Sequence, residues 1–392
     1  MNEASPLRRI VVLVCMADSI HSARWIGQFV DQPVDFLVFP TTPNRRIHPL
    51  ITEWTSGSQT MTVRVVPFGG ALSIPLWGMD LILRDHVRGY LLRRLLRRVR
   101  PHYVHALELQ HGGYITSRAL DRLSGKPPFI ATNWGSDIFW FQRYPAHLKR
   151  LRHLLSQADF YSAECQRDVD LAVSYGFAGH SFPVFPNTGG FPQDALHRST
   201  SAPSSRTTIA VKGYQSFVGR ASIALAALEQ VKDLLSGYRI VIFSANFKTQ
   251  RLAASLANRT GLDITCHQKK SLSHSTMMDI FASARTYIGV SLSDGISTSL
   301  LESMVNGSFP IQTNTSCASE WITDGLSGFT VDPGDPVSIA ESLRRALTDD
   351  ALVDAAAQLN STTTKTRLDE RVGQRNSFRF YALGSSSDIS SA

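Results

Sequence analysis

Twice along this chain a short apolar run leads through a turn into a helix-spaced stretch and on to another apolar run. That recurrence narrows the fold more than any other feature. Residues 10–17, IVVLVCMA, are the first such run; Asp18-Ser19-Ile20-His21 marks the turn, 22–30 fits a helix and 34–40 is a second buried strand. The series starts afresh at 207–211, after which helices at 223–235, 250–260 and 275–284 alternate with strands at 239–244 and 263–266. Strands separated by helices pair in parallel and are covered on both faces, which predicts an α/β fold of two doubly wound domains. Between the two series, 197–206 (HRSTSAPSSR) is polar, Ser-rich and interrupted by Pro203, the composition of a linker. The expected division is 1–196, a linker at 197–206, a second domain at 207–360, and a terminal helix with a Ser-rich tail at 361–392.

A length of 392 residues suits two such domains, and 43% apolar with 18% charged residues is an ordinary globular balance. No apolar run approaches the ~18–20 residues needed to span a bilayer. The eight-residue run at 10–17 reads as a first strand rather than a signal peptide, because the α/β pattern continues past it without a break. Cys15, Cys165, Cys266 and Cys317 show no metal spacing and read as reduced thiols in a cytosol.

The net charge of +8 implies an anionic partner, and much of the excess lies between Arg84 and Arg100, RDHVRGYLLRRLLRRVR. There Leu92, Leu95, Leu96 and Val99 form one stripe, with Arg93, Arg94, Arg97 and Arg98 beside it. Such a helix is either a solvated face over a packed core or a dock for anionic lipid headgroups. No aromatic residues interleave with the arginines and no nucleic-acid module appears, so a nucleic-acid partner is not expected.

The stretch 287–312, YIGVSLSDGISTSLLESMVNGSFPIQ, joins a strand, a hydroxyl-rich loop, a helix and a second strand. A loop opening a helix directs backbone N–H groups and the positive dipole end outward, which suits a diphosphate. Asp294 and Glu302 flank that helix start and can accept hydrogen bonds from sugar hydroxyls. Ser299-Leu300-Leu301-Glu302 equally fits a capping box, in which the Glu satisfies a helix-end donor. Asp168-Val169-Asp170 lies in a helical stretch, where residues two apart diverge by about 200° and cannot grip one cation.

The strand, Asp294, seven intervening residues, Glu302 and the segment Asn306-Gly307-Ser308-Phe309-Pro310 resemble the donor-sugar motif of GT-B glycosyltransferases, family 4, the retaining group. Asp294 stands where that family usually has Glu. Further likenesses are Asp18 to Trp25 in the first strand-to-helix loop, Pro101 to Ala106 with His105, Asn133-Trp134-Gly135-Ser136-Asp137 with Trp134 where His is common, and Pro186-Asn187-Thr188-Gly189. Lys212-Gly213 and Gly219-Arg220 are similar to the family's basic pair; without the resemblance, two solvated loop charges stand as an alternative.

The resemblance implies two Rossmann-like domains facing across a cleft and transfer of a sugar from a nucleotide-sugar to an acceptor hydroxyl. It implies catalytic roles for Asp294, Lys212, Arg220 and Asp137, and donor binding by Glu302, Gly295, Ile296, Ser297, Thr298 and Ser299. Candidates on the acceptor side are Asp18, Ser19, His21, His105 and Trp134, with His111 as a further histidine. No metal or other cofactor is expected, since basic side chains and a helix end can balance the diphosphate. The acceptor is expected to be a saccharide, lipid-linked or of the cell envelope, with a small molecule as the alternative, and the location cytoplasmic, peripheral on the inner membrane face. A non-catalytic sugar-nucleotide-binding subunit, or an epimerase or phosphorylase on the same fold, is the alternative.

Overall fold

The computed structural model describes residues 8–42, 46–56, 60–67, 73–196 and 201–383. The start of the expected linker (197–200) and the Ser-rich tail from 384 lie outside the described residues. The chain divides into two units, one of Met1–Gly190 with Glu370–Ala392, the other Phe191–Asp369. This differs from the expected division at the C-terminal end, where helix Glu370–Arg379 rejoins the first unit. The reason is aromatic. Tyr381 is fully buried among Trp25, Phe29 and Phe36, and its hydroxyl accepts a 3.0 Å bond from the Trp25 indole N–H.

The first unit holds β1 (Arg9–Cys15), β2 (Val34–Pro40), β3 (Thr62–Val65), β4 (Tyr103–Leu107), β5 (Phe129–Thr132), β6 (Phe160–Ser162) and β7 (His180–Ser181). They form one parallel sheet in the order β3-β2-β1-β4-β5-β6-β7. The second unit holds β8 (Thr208–Lys212), β9 (Arg239–Ala245), β10 (Asp263–Gln268), β11 (Ala284–Gly289), β12 (Phe309–Thr313) and β13 (Phe329–Val331). They run β10-β9-β8-β11-β12-β13, again all parallel. In both sheets the order reverses beside the first strand, between β1 and β4 and between β8 and β11. The loops leaving the carboxyl ends there form the ligand-binding crevice of a doubly wound sheet. The central strands are apolar on both faces because helices cover both: Val11 to Cys15 and Ile209 to Val211 are all fully buried.

The expected basic helix at 84–100 is shorter, His86–Val99. Arg84 (φ 49°) and Asp85 (φ 66°) are left-handed and separate it from helix Ser73–Ile82, which the sequence reading had not assigned. The Asp80 carboxylate reaches across that turn to accept from Val87 N at 2.7 Å. Nor is the arginine face uniformly solvated. Arg88 is buried against Asp80 and Asp85. Arg93 donates to the carbonyls of Arg118 and Ala119 at the end of helix Tyr114–Leu120, and Arg97 to that of Arg122. Helix-end carbonyls lack intrahelical donors, so these arginines serve a structural purpose. Arg94 and Arg98 remain exposed.

Candidate active site

In the second unit, β8 delivers Lys212 to the crevice, and two glycines shape the loop after it. A Cβ on Gly213 would come within 2.7 Å of Ile242 Cγ2, and one on Gly219 within 2.2 Å of the Tyr214 carbonyl oxygen. The loop is zipped to the segment leaving β11: Arg220 N donates to Val290 O at 3.0 Å and Leu292 N to Val218 O at 2.8 Å. Lys212 thereby meets the loop that precedes helix Thr298–Val305. Its Nζ donates to Ser297 Oγ at 3.1 Å and lies 3.9 Å from Asp294 Oδ2, while Asp294 Oδ1 accepts from Gly295 N at 3.0 Å. The expected catalytic pair Lys212 and Asp294 is brought together. Arg220 sits on the same loop, with Nη1 donating to the carbonyls of Ser216 and Gly219, both at 2.9 Å.

The capping-box alternative does not hold. The helix N-cap is Ser297, whose side chain makes no capping bond, and Ser299 lies inside the first turn. Glu302, only 7% exposed, places Oε1 3.1 Å from Nε2 of His274, the first residue of helix His274–Ser283. Thr298 and Ser299 open the first turn, where backbone N–H groups precede the intrahelical ladder and the dipole is positive. Ile296, by contrast, is buried in the apolar cluster beneath the site.

In the first unit the crevice loops follow β1, β4 and β5. Ser19 caps helix Ile20–Gly27 through His21 N at 3.2 Å, and the His21 ring packs against Trp134 with centroids 5.6 Å apart. Asp18, Ser19, His21 and Trp134 thus belong to adjoining loops. His105 does not join them. It is fully buried, its Nδ1 is 2.7 Å from the Tyr381 hydroxyl and its Nε2 2.7 Å from Thr132 Oγ1. Desolvation pushes it down to about 3, so it stays neutral and belongs to the core rather than to the acceptor side.

Asp137 is 9% exposed, with Oδ2 accepting from Leu109 N at 2.7 Å and from Trp134 N at 3.1 Å. It holds two crevice loops together instead of presenting a free carboxylate. Glu108, absent from the sequence candidates, accepts from Gly112 N (2.7 Å) and His111 N (3.0 Å) within a π-helical turn, Leu109–Gly113. Burial pushes Asp137 up to about 7 and Glu108 up to about 8, the latter raised further by the Asp137 charge. Asp168 is buried against Asn133 and Arg167, while Asp170 accepts from Gln166 on the exposed side. The two carboxylates diverge, as their spacing predicts.

Two family models match the chain: "Glycosyl transferases group 1" over residues 193–366, in the second unit, and "Glycosyl transferase 4-like" over 88–163, in the first. Residues 193–366 thus form a group 1 glycosyltransferase domain.

Solved structures agree on the fold. HepE of Anabaena, in complex with UDP and glucose, superposes with a TM-score of 0.68 at 15% identity, covering 96% of this chain and 100% of that one. Sucrose-phosphate synthase of Thermosynechococcus elongatus gives 0.70 at 13%, covering 96% and 98%. The lipopolysaccharide outer core galactosyltransferase WaaB, in its apo form, gives 0.65 at 14%, covering 94% and 97%. No curated protein matches the sequence significantly. The two Rossmann-like units are those of a GT-B glycosyltransferase. In this glycosyltransferase the sequence motifs missed Glu108 and His274. Gly112-Gly113 after an acid was a signal for the first, and Ser273 as an N-cap for the second.

Proposed function

We propose that this glycosyltransferase moves a sugar from a nucleoside diphosphate donor, held by the second unit, to a hydroxyl of an acceptor held by the first, with retention at the anomeric carbon. The observation that carries the reading is the meeting of Lys212, Ser297 and Asp294 at the carboxyl ends of β8 and β11, with Glu302 one turn further on. HepE, which shares the fold, was solved with UDP and glucose.

When the bond between the anomeric carbon and the diphosphate oxygen breaks, negative charge grows on the departing phosphate. Lys212, Arg220 and the N–H groups at Thr298 and Ser299 stabilise that charge, which makes a metal unnecessary. Glu302 accepts from ribose hydroxyls, with His274 fixing its orientation, and Asp294 accepts from the transferred sugar. Asp18, Ser19, His21 and Trp134 face the acceptor, while Asp137 and Glu108 hold the loops that carry it. WaaB supports a cell-envelope saccharide as the acceptor class. Among the described residues no helix is long and apolar enough to cross a membrane. A lipid-linked acceptor would be reached from the cytoplasmic face, with the exposed Arg94 and Arg98 against anionic lipid.

A thermal-shift screen of nucleotide-sugars in the presence of a chelator tests the reading. The matching donor raises the melting temperature by mass action and is slowly hydrolysed without acceptor. No stabilising nucleotide, or hydrolysis that vanishes with chelator, overturns it.

A further inference from the structure

Apart from the crevice, the first unit contains a cavity of about 570 Å³ between helices Tyr114–Leu120 and Pro145–Leu155. Arg84, Arg118, His147, Lys149, Arg150 and His153 line it, and no acid does. We propose that this cavity is a binding site for a phosphate group, separate from the donor site and resting on no assumption about sugar transfer.

Positive charge exceeds negative charge at this wall. The nearest acids, Asp85 and Asp121, are already engaged. Asp85 pairs with the buried Arg88 and with Arg150, whose guanidinium stacks 3.7 Å from the Tyr114 ring centroid. Asp121 lies 2.7 Å from His153 and 3.7 Å from Arg118. Arg84 and Lys149 have no ion-pair partner among the described residues. Two uncompensated cations at a concave wall, backed by Arg118 and Arg150, match a tetrahedral phosphate, mono- or diester, with its several acceptor oxygens better than a carboxylate. The backbone also commits Arg84 to this place. Its left-handed conformation, with that of Asp85, is one L-residues rarely adopt, and the buried Asp80–Arg88–Asp85 cluster holds the turn.

The phosphate has two sources, a soluble monoester or a lipid headgroup. Ile82 and Leu83 stand exposed just before Arg84, so both are tested. In low-salt, phosphate-free buffer the full chain is titrated with glycerol phosphate, and separately with vesicles of phosphatidylglycerol or phosphatidylcholine. The Arg84→Gln/Lys149→Gln double variant is compared with a control of equal charge loss in the second unit, Lys232→Gln/Lys365→Gln, both exposed. The expected result is saturable binding of at least one phosphate source. That binding should weaken at least tenfold in the cavity variant and less than twofold in the control, with both variants melting as the parent does.

A fall confined to glycerol phosphate identifies a soluble ligand, and a fall confined to phosphatidylglycerol vesicles a headgroup. Failure of the parent chain to bind either source, or equal weakening in the control, overturns the proposal. Phosphate bound in the cavity by a chain that no nucleotide-sugar stabilises would leave this site standing while removing the transfer reading.

Discussion

The two units repeat one strand order, yet they treat the loops at their strand ends in opposite ways. The second unit presents its charges: Lys212, Asp294 and the Ser297 helix start share a polar cluster that solvent reaches, with side chains 22% and 29% exposed for the Lys and Asp. The first unit buries Glu108, Asp137 and His105 under its crevice and leaves an exposed histidine against a half-buried tryptophan. The same topology therefore supports two tasks. On the proposed function, one set of loops stabilises developing charge and the other keeps a wall in shape. Substitutions should separate the two, affecting rate in the second unit and stability in the first.

The largest separation is expected from Lys212→Ala. Removing one donor to a developing anion costs about 3–4 kcal/mol of barrier, so kcat should fall roughly 10²–10³-fold. The melting temperature should barely move, because the side chain is part-exposed and loses one bond. Steady-state transfer and a thermal melt, run on the same preparation, check both halves. Glu302→Gln should follow, with donor affinity reduced about tenfold or more, since an acceptor-only carboxylate is replaced by an amide that pairs less well with hydroxyls. A titration showing wild-type donor affinity for Glu302→Gln would remove that residue from the donor site.

Which parts were legible in the sequence follows the same contrast. Strand periodicity is local, so β2 at 34–40 is placed at its observed ends, and the run from Asp294 to Glu302 could be read as one site. The roles of His105 and Tyr381 depend on a contact 276 positions apart, which no local spacing encodes. The break at Arg84–Asp85 was hidden because its cause, the Asp80–Arg88 pair, is a tertiary contact overriding a continuous helical pattern. Glu302 shows the limit from the other side. Its spacing to Ser299 fits two structures equally, and only its burial beside His274 separates them.

That long-range contact gives the next test. Tyr381→Phe removes the oxygen that accepts from Trp25 Nε1 and bonds His105 Nδ1, leaving buried polar groups without a partner. A loss of about 2 kcal/mol in unfolding free energy is expected, with transfer by the folded fraction unchanged. Denaturant titration and specific activity distinguish this from a catalytic role for His105, which would lower the rate instead.

The effect expected to be smallest on transfer itself is a pH dependence of stability confined to the first unit. Glu108 and Asp137 carry folded-state values of about 8 and about 7, above those of the unfolded chain because burial disfavours their charged forms. A carboxyl raised by folding binds its proton more tightly in the native state. Its contribution to stability is full below the unfolded value and is lost as pH rises through the folded one. Stability should therefore fall as pH rises between about 5 and 8, with a slope of at most about 1.4 kcal/mol per pH unit for each carboxyl. Glu108→Gln should flatten the profile, because the amide keeps the acceptor for Gly112 N without titrating. Hydrogen exchange read separately over the two units locates the effect. A slope of equal size in the second unit, which has no comparable buried acid pair among its described residues, would break the contrast between the two halves.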